Sequence, residues 1–148
     1  SPAGGALGRL AAGDLGGHRG PGSTHTPIVA AHVTLAAGAQ VVVPWDPSFN
    51  ALAYVLAGAG SVGDDRVAVR TGQLAVFGDG DTLTLTADGS ESMDVLLLGG
   101  EPIREPVFQY GPFVMNTKAE VAQAFDDFQS GLLGTVPADG IQPYRGRR

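Results

Sequence analysis

Glycine and proline punctuate this chain at intervals of about eight to twelve residues, and the apolar runs between them are short and alternate with polar residues. With 23 glycines and 10 prolines among 148 residues, little uninterrupted length is left for helices. The alternation is clearest in Thr82, Leu83, Thr84, Leu85, Thr86 and Ala87, where one face can pack on a core while the threonines meet water or another sheet. The same pattern predicts strands over Leu7–Ala12, Ile28–Leu35, Ala39–Val43, Leu52–Leu56, Arg66–Val69, Gln73–Phe77 and Met93–Leu98. Short strands in this number suit an all-β domain closed into a barrel.

One segment breaks the rule. Thr117 and Glu120 have the S/T-x-x-E spacing that lets two side chains satisfy orphan amide donors reciprocally, which predicts a helix starting after Asn116 or Thr117 and stopping at Gly131. Val121, Phe125, Phe128 and Leu132 form one apolar stripe on that helix, and the stripe needs a cover. The expected organisation is a barrel over 1–116, a helix over 117–133 packing on the barrel or a partner domain, and an extended tail over 134–148.

The length fits one domain, and 43% hydrophobic composition is enough for a real core. The absence of cysteine excludes disulfides, thiolate zinc sites and thiol nucleophiles. A net charge of −6 opposes a phosphate backbone, so direct nucleic-acid binding is not expected. The longest small-and-apolar run, Ala51 to Gly60, is far short of the roughly 20 residues that cross a bilayer. No membrane association is expected, and the expected location is cytoplasmic. The start, Ser1-Pro2, has neither methionine nor a signal-like n-region and reads as a cut inside a longer protein.

Candidate chemistry is sparse. His18, His25 and His32 show no H-x-H or helical i, i+4 pair, and the reading taken is that none is a metal ligand. His32 is placed on the strand face of Ala30 and Thr34, and His18 and His25 in the irregular loop GGHRGPGSTHTP. Asp64, Asp65, Asp79 and Asp81 lack the alternating spacing and terminal glutamate of an EF-hand and read as turn residues. Trp45 reads as packing, with stacking on a flat ligand as the functional alternative. Arg104 is expected to pair with a glutamate or backbone carbonyls in a strap held extended by Pro102 and Pro106. Gly111 and Pro112 form a bend aiming Phe113 and Met115 one way. There is no serine in a triad context and no glycine-rich phosphate loop.

The stretch Gly99 to Thr117, GGEPIREPVFQYGPFVMNT, closely resembles the closing signature of the pirin family. The resemblance implies a cupin-type β-barrel or jelly roll with one C-terminal α-helix, equivalent to the second barrel of a bicupin. Cupins hold a metal with an H-x-H pair and a glutamate, then a P-x-G and a third histidine, so that imidazoles and a carboxylate from neighbouring strands converge on one ion. Laid on this chain from Gly38, the histidine positions fall on Pro44 and Asp46, and the glutamate position on Asn50 or Ala51. From Gly72, the P-x-G falls on Gly78, Asp79 and Gly80, and the third histidine position on Leu83. Pro44, Ala51 and Leu83 cannot ligate a metal, so no metal, cofactor-binding or catalytic residue is assigned in this chain.

What the resemblance then implies is a non-catalytic C-terminal domain that completes a pirin-like protein and gives an interaction surface to an iron-binding N-terminal cupin. The expected interface residues are Arg104, Glu105, Phe113, Met115, Val121, Phe125 and Phe128. The loop around His18 and His25 is expected to meet the first barrel. The alternative is a parent that oxidises quercetin as an iron-dependent 2,3-dioxygenase, with its iron upstream of Ser1. A further implication is regulatory binding to other proteins, such as transcription factors or metabolic enzymes.

Overall fold

The computed structural model describes residues 4–136. The chain packs as two units, one ending at Ile103 and one beginning at Arg104. The first holds β1 (Ala6–Ala12), β2 (Asp14–Leu15), β3 (His18–Arg19), β4 (Ile28–Leu35), β5 (Gln40–Pro44), β6 (Asn50–Ala57), β7 (Ala59–Val62), β8 (Val67–Arg70), β9 (Leu74–Val76), β10 (Thr82–Ala87) and β11 (Met93–Gly100). The second holds β12 (Phe108–Tyr110), β13 (Phe113–Met115) and α1 (Lys118–Gln129). Among the described residues no helix is long and apolar enough to cross a membrane.

In the first unit, a five-stranded sheet of order β1-β4-β11-β6-β9 and a four-stranded sheet of order β5-β10-β7-β8 share one core. This is a jelly roll of the cupin type. The sheets are not joined into one continuous hydrogen-bonded cylinder, so the closed barrel expected from strand count becomes two layers enclosing a core. The strands that carry the core, β4, β6, β10 and β11, alternate as their pleat requires. β10 buries Leu83, Leu85 and Ala87, with Thr82, Thr84 and Thr86 on the other face. β11 buries Met93, Val95 and Leu97, and β4 buries Val29, Ala31, Val33 and Leu35. Each fully buried large side chain, such as Leu35, Leu85 or Leu97, contributes roughly 1.5–3 kcal/mol relative to exposure.

The sequence pattern did not predict β7. It sits in a run of small apolar residues, Ala51 to Gly60, whose two halves belong to different sheets. Gly58 makes the change of sheet between β6 and β7, with φ +82°, and a side chain there would drive into the carbonyl of Ser92. The hairpins β2–β3 and β12–β13 were also not anticipated, because each strand is only two or three residues long.

In the second unit, α1 begins where the capping box places it. Glu120 N donates to Thr117 Oγ1 at 3.2 Å, and Thr117 N donates to Glu120 Oε2 at 2.7 Å. Gly131 follows the helix with φ +79°. The apolar stripe meets the β12–β13 hairpin: Phe125 lies edge-on to Phe113 at 4.9 Å and tilted against Tyr110 at 5.8 Å. Residues of the expected tail from 137 onward lie outside the described residues.

Candidate functional site

The place to look for a cupin metal is the core-facing end of β5, β6 and β10. Four hydrophobic side chains face the core there: Val43, Trp45, Ala51 and Leu83 are all buried. Pro44 and Asp46, onto which the H-x-H positions fall, are exposed on the opposite face. The frame counted from Gly38 is therefore one residue out of phase with the pleat. The residues actually facing inward in β5 and just beyond it are Val41, Val43 and Trp45. Pro44 is tolerated because β5 is the edge strand of its sheet.

Aliphatic and indole groups offer no lone pair suited to iron, so these residues do not fit the metal of metal-bearing cupins. Among the described residues, no three His, Asp or Glu side chains come together as a ligand set. His18 lies in β3, His25 in the loop after it, and His32 in β4 on the face of Ala30 and Thr34. His32 Nε2 is 3.1 Å from Asp94 Oδ1 in the neighbouring β11, and the same oxygen accepts from Thr34 Oγ1 at 2.7 Å.

Trp45 is 6% exposed, so its ring faces are closed to a stacking ligand. Its backbone N–H donates to Asp81 O at 2.8 Å, but among the described residues its indole Nε1–H has no acceptor. The next residue, Asp46, opens a tight turn: its Oδ1 accepts from Ser48 Oγ at 2.7 Å and from Ser48 N at 2.9 Å. The Ser48 hydroxyl and then its amide hold the Asp46 carboxyl below the usual aspartate range. Around Trp45 and Asp46 lies a cavity of about 410 Å³, lined also by Asp14, Arg19, His25 and Phe49. Asp64, Asp65, Asp79 and Asp81, read from sequence as separate turns, line a second cleft of about 490 Å³.

The residues expected at an interface fall into two groups. Arg104, Glu105, Met115 and Phe128 are exposed, whereas Val121 is buried and Phe113 and Phe125 are half-buried against one another. The helix stripe is thus partly covered by a hairpin of its own unit. Arg104 makes no ion pair among the described residues and instead takes a left-handed φ of 55°. The strap is tied by its neighbour, since Asn116 Nδ2 donates to Glu105 Oε2 at 2.7 Å.

A surface that strand prediction overlooked is the outer face of the five-stranded sheet. Arg9, His32, Leu96, Tyr54 and Leu74 stand in one register row across all five strands. Beside them, Leu56 and Val76 are exposed as well, and the β6–β9 end of the face is apolar. The signal was present in sequence: β6 and β9 carry large apolar residues at the positions that alternate with the core-facing ones, as strands covered on both faces do.

A two-sheet jelly roll whose core is closed by Val43, Trp45, Ala51 and Leu83 at one end defines a domain of the cupin class. The pirin C-terminal cupin domain profile matches residues 30–134, and the chain belongs to that family. It is 37% identical over 126 residues to a pirin-like protein of Solanum lycopersicum, covering 84% of this chain and 43% of that protein. It is 40% identical over 129 residues to Pirin-1 of Arabidopsis thaliana, covering 85% of this chain and 45% of that protein. Among solved structures it superposes on quercetin 2,3-dioxygenase from Acinetobacter baumannii with a TM-score of 0.81 and 32% identity, covering 89% of this chain and 45% of that one. The chain spans less than half the length of the curated relatives it matches.

Proposed function

We propose that this chain is the non-catalytic half of a pirin-type bicupin, completing the protein and presenting a contact surface to a metal-bearing cupin of the same polypeptide. The observation that carries this reading is the filling of the ligand positions by Val43, Trp45, Ala51 and Leu83, which leaves the core with no donor set. Contact is made through the outer face of the five-stranded sheet, where Tyr54, Leu56, Leu74 and Val76 are exposed at 37%, 45%, 54% and 75%. Covering that face removes apolar surface from water at about 25 cal/mol per Å². The exposed Arg104, Met115 and Phe128 offer further contact surface. The acidic balance of the chain suits protein partners better than nucleic acid.

A second reading is favoured by the likeness to quercetin 2,3-dioxygenase from Acinetobacter baumannii. In it the parent oxidises a flavonol, iron and substrate are held outside this chain, and this domain supports the entrance at most.

Metal analysis and quercetin-dependent oxygen uptake test both readings. This purified chain is expected to retain no stoichiometric metal and to consume no oxygen with quercetin, and one bound metal per chain would sink the proposal. In the longer protein, Leu74→Lys with Val76→Lys is expected to raise proteolytic cleavage between the halves. In this chain alone the same pair leaves the unfolding midpoint unchanged, because both side chains are already exposed. Quercetin-dependent oxygen uptake by the longer protein would select the dioxygenase reading.

A further inference from the structure

The two sheets of the jelly roll part between β1 and β5, the edge strands of their sheets, which do not pair with each other. A slot of about 330 Å³ opens there, walled by Leu10, Leu15, Ala31, Val33, Val41 and Val43. Ala31, Val33 and Val43 belong to the buried core, so the floor of the slot is the core itself. Among the residues lining it there is no carboxylate, lysine or arginine, and the exposed His18 is the one side chain with a polar atom.

The slot owes its room to Gly8, one of its lining residues. Gly8 stands opposite Val33 in the β1–β4 register, between Ala6 and Leu10 on the side of the strand that packs on the core. Gly58 is required by a left-handed backbone and a close carbonyl. Gly8 is required by neither: its φ lies outside the left-handed region, and beyond its chain neighbours a β-carbon there would meet no atom within 4 Å. A core-facing position is thus left without the side chain that would fit it, and the atoms around the gap forgo dispersion contacts. An apolar cavity of about 150 Å³ already stays dry and takes up benzene, and roughly 300 Å³ is the lower end of small-molecule sites.

A peptide strand is the poorer occupant. Trp45 N donates to Asp81 O and Ala87 N to Ala39 O, so the odd-numbered residues of β5 bond to β10, while Gln40, Val42 and Pro44 turn their backbone groups to the open edge. Pro44 has no N–H, and an added strand would find only the amides of Gln40 and Val42. A charged ligand would give up its hydration with no opposite charge to meet it. We infer that the slot between β1 and β5 binds a compact, uncharged monocyclic aromatic molecule, seated in the space that Gly8 leaves and packed against Leu15, Val33 and Val43.

The methyl resonances of Leu15, Val33 and Val43 in a ¹H–¹³C spectrum of this chain report on the slot directly. Toluene is expected to shift them saturably through its ring current, and benzoate, of nearly the same shape but charged, is expected to leave them in place. Gly8→Leu fills the space from the strand itself. It is expected to weaken toluene binding by about tenfold or more, and to keep or raise the unfolding midpoint, since a strand glycine is replaced and a void is filled. Methyl resonances that stay still with toluene overturn the inference, as does an equal response to benzoate. So does a Gly8→Leu variant that binds toluene as the parent chain does, or one whose unfolding midpoint falls, because Gly8 then leaves no usable space. Toluene binding by this chain that is lost in the longer protein also overturns it, by giving the slot to a segment of that protein.

Discussion

The benzo edge of Trp45 occupies the space that a β-carbon on Gly99 would need. Gly99 lies in β11, with Ala51 of β6 opposite it, and the same β-carbon would also run into the Asn50 carbonyl. The glycine that opens the family signature is thereby what lets an indole close the end of the core. Gly99→Ala is expected to cost about 2–3 kcal/mol, since a backbone carbonyl cannot yield as a flexible side chain can. Urea unfolding with the slope unchanged and the midpoint lowered is the expected result.

Trp45→Phe should separate the shape of the indole from its polarity. The N–H has no protein acceptor among the described residues, so its removal sacrifices no internal hydrogen bond. The expected cost is below about 1.5 kcal/mol, against roughly 3–5 kcal/mol for Trp45→Ala, which leaves a cavity. The two variants compared in one denaturation series give the result.

Asp46 is set for a pH measurement. Its carboxyl titrates below the usual aspartate range because Ser48 Oγ, and then Ser48 N, stabilise the charged form. A folded value below the unfolded one means this contribution to stability is present above the unfolded value and lost as pH falls through the folded one. In Ser48→Ala the larger of the two causes is gone, and the Asp46 midpoint followed by carboxyl NMR is expected to move up. An unmoved midpoint would show that the amide alone holds the charge.

Thr117→Ala should remove one arm of the capping box at α1. A cost of about 1 kcal/mol is expected. It should appear as faster amide exchange in the first turn of α1, with exchange in β10 and β11 unchanged.

Period-two alternation was legible where large core-facing residues alternate with polar ones. Thr82 to Ala87 is the plainest case, and the structure buries the three residues that the pattern selects. The Thr117–Glu120 capping box was legible for a different reason: it is a local motif, satisfied within one turn of chain. The phase of β5 was not legible. Its residues Val41, Val42, Val43 carry no alternation to read, and counting from a glycine errs by one where a pleat tolerates no error. The cover of the Val121–Phe125 stripe was equally hidden, because the strands of the β12–β13 hairpin are too short to show a period.

The sequence by itself determined the class of this domain: short alternating strands, a capped terminal helix and the pirin signature. These depend on local spacing and residue chemistry, which the chain carries with it. Only the tertiary structure decided that Val43 and Trp45, not Pro44 and Asp46, face the core, that Gly58 carries the chain from one sheet to the other, and that Arg19, His25 and Trp45 line one cavity. Those relations join residues distant along the chain, and they are fixed by strand register and packing of the whole core, to which no single segment holds the key.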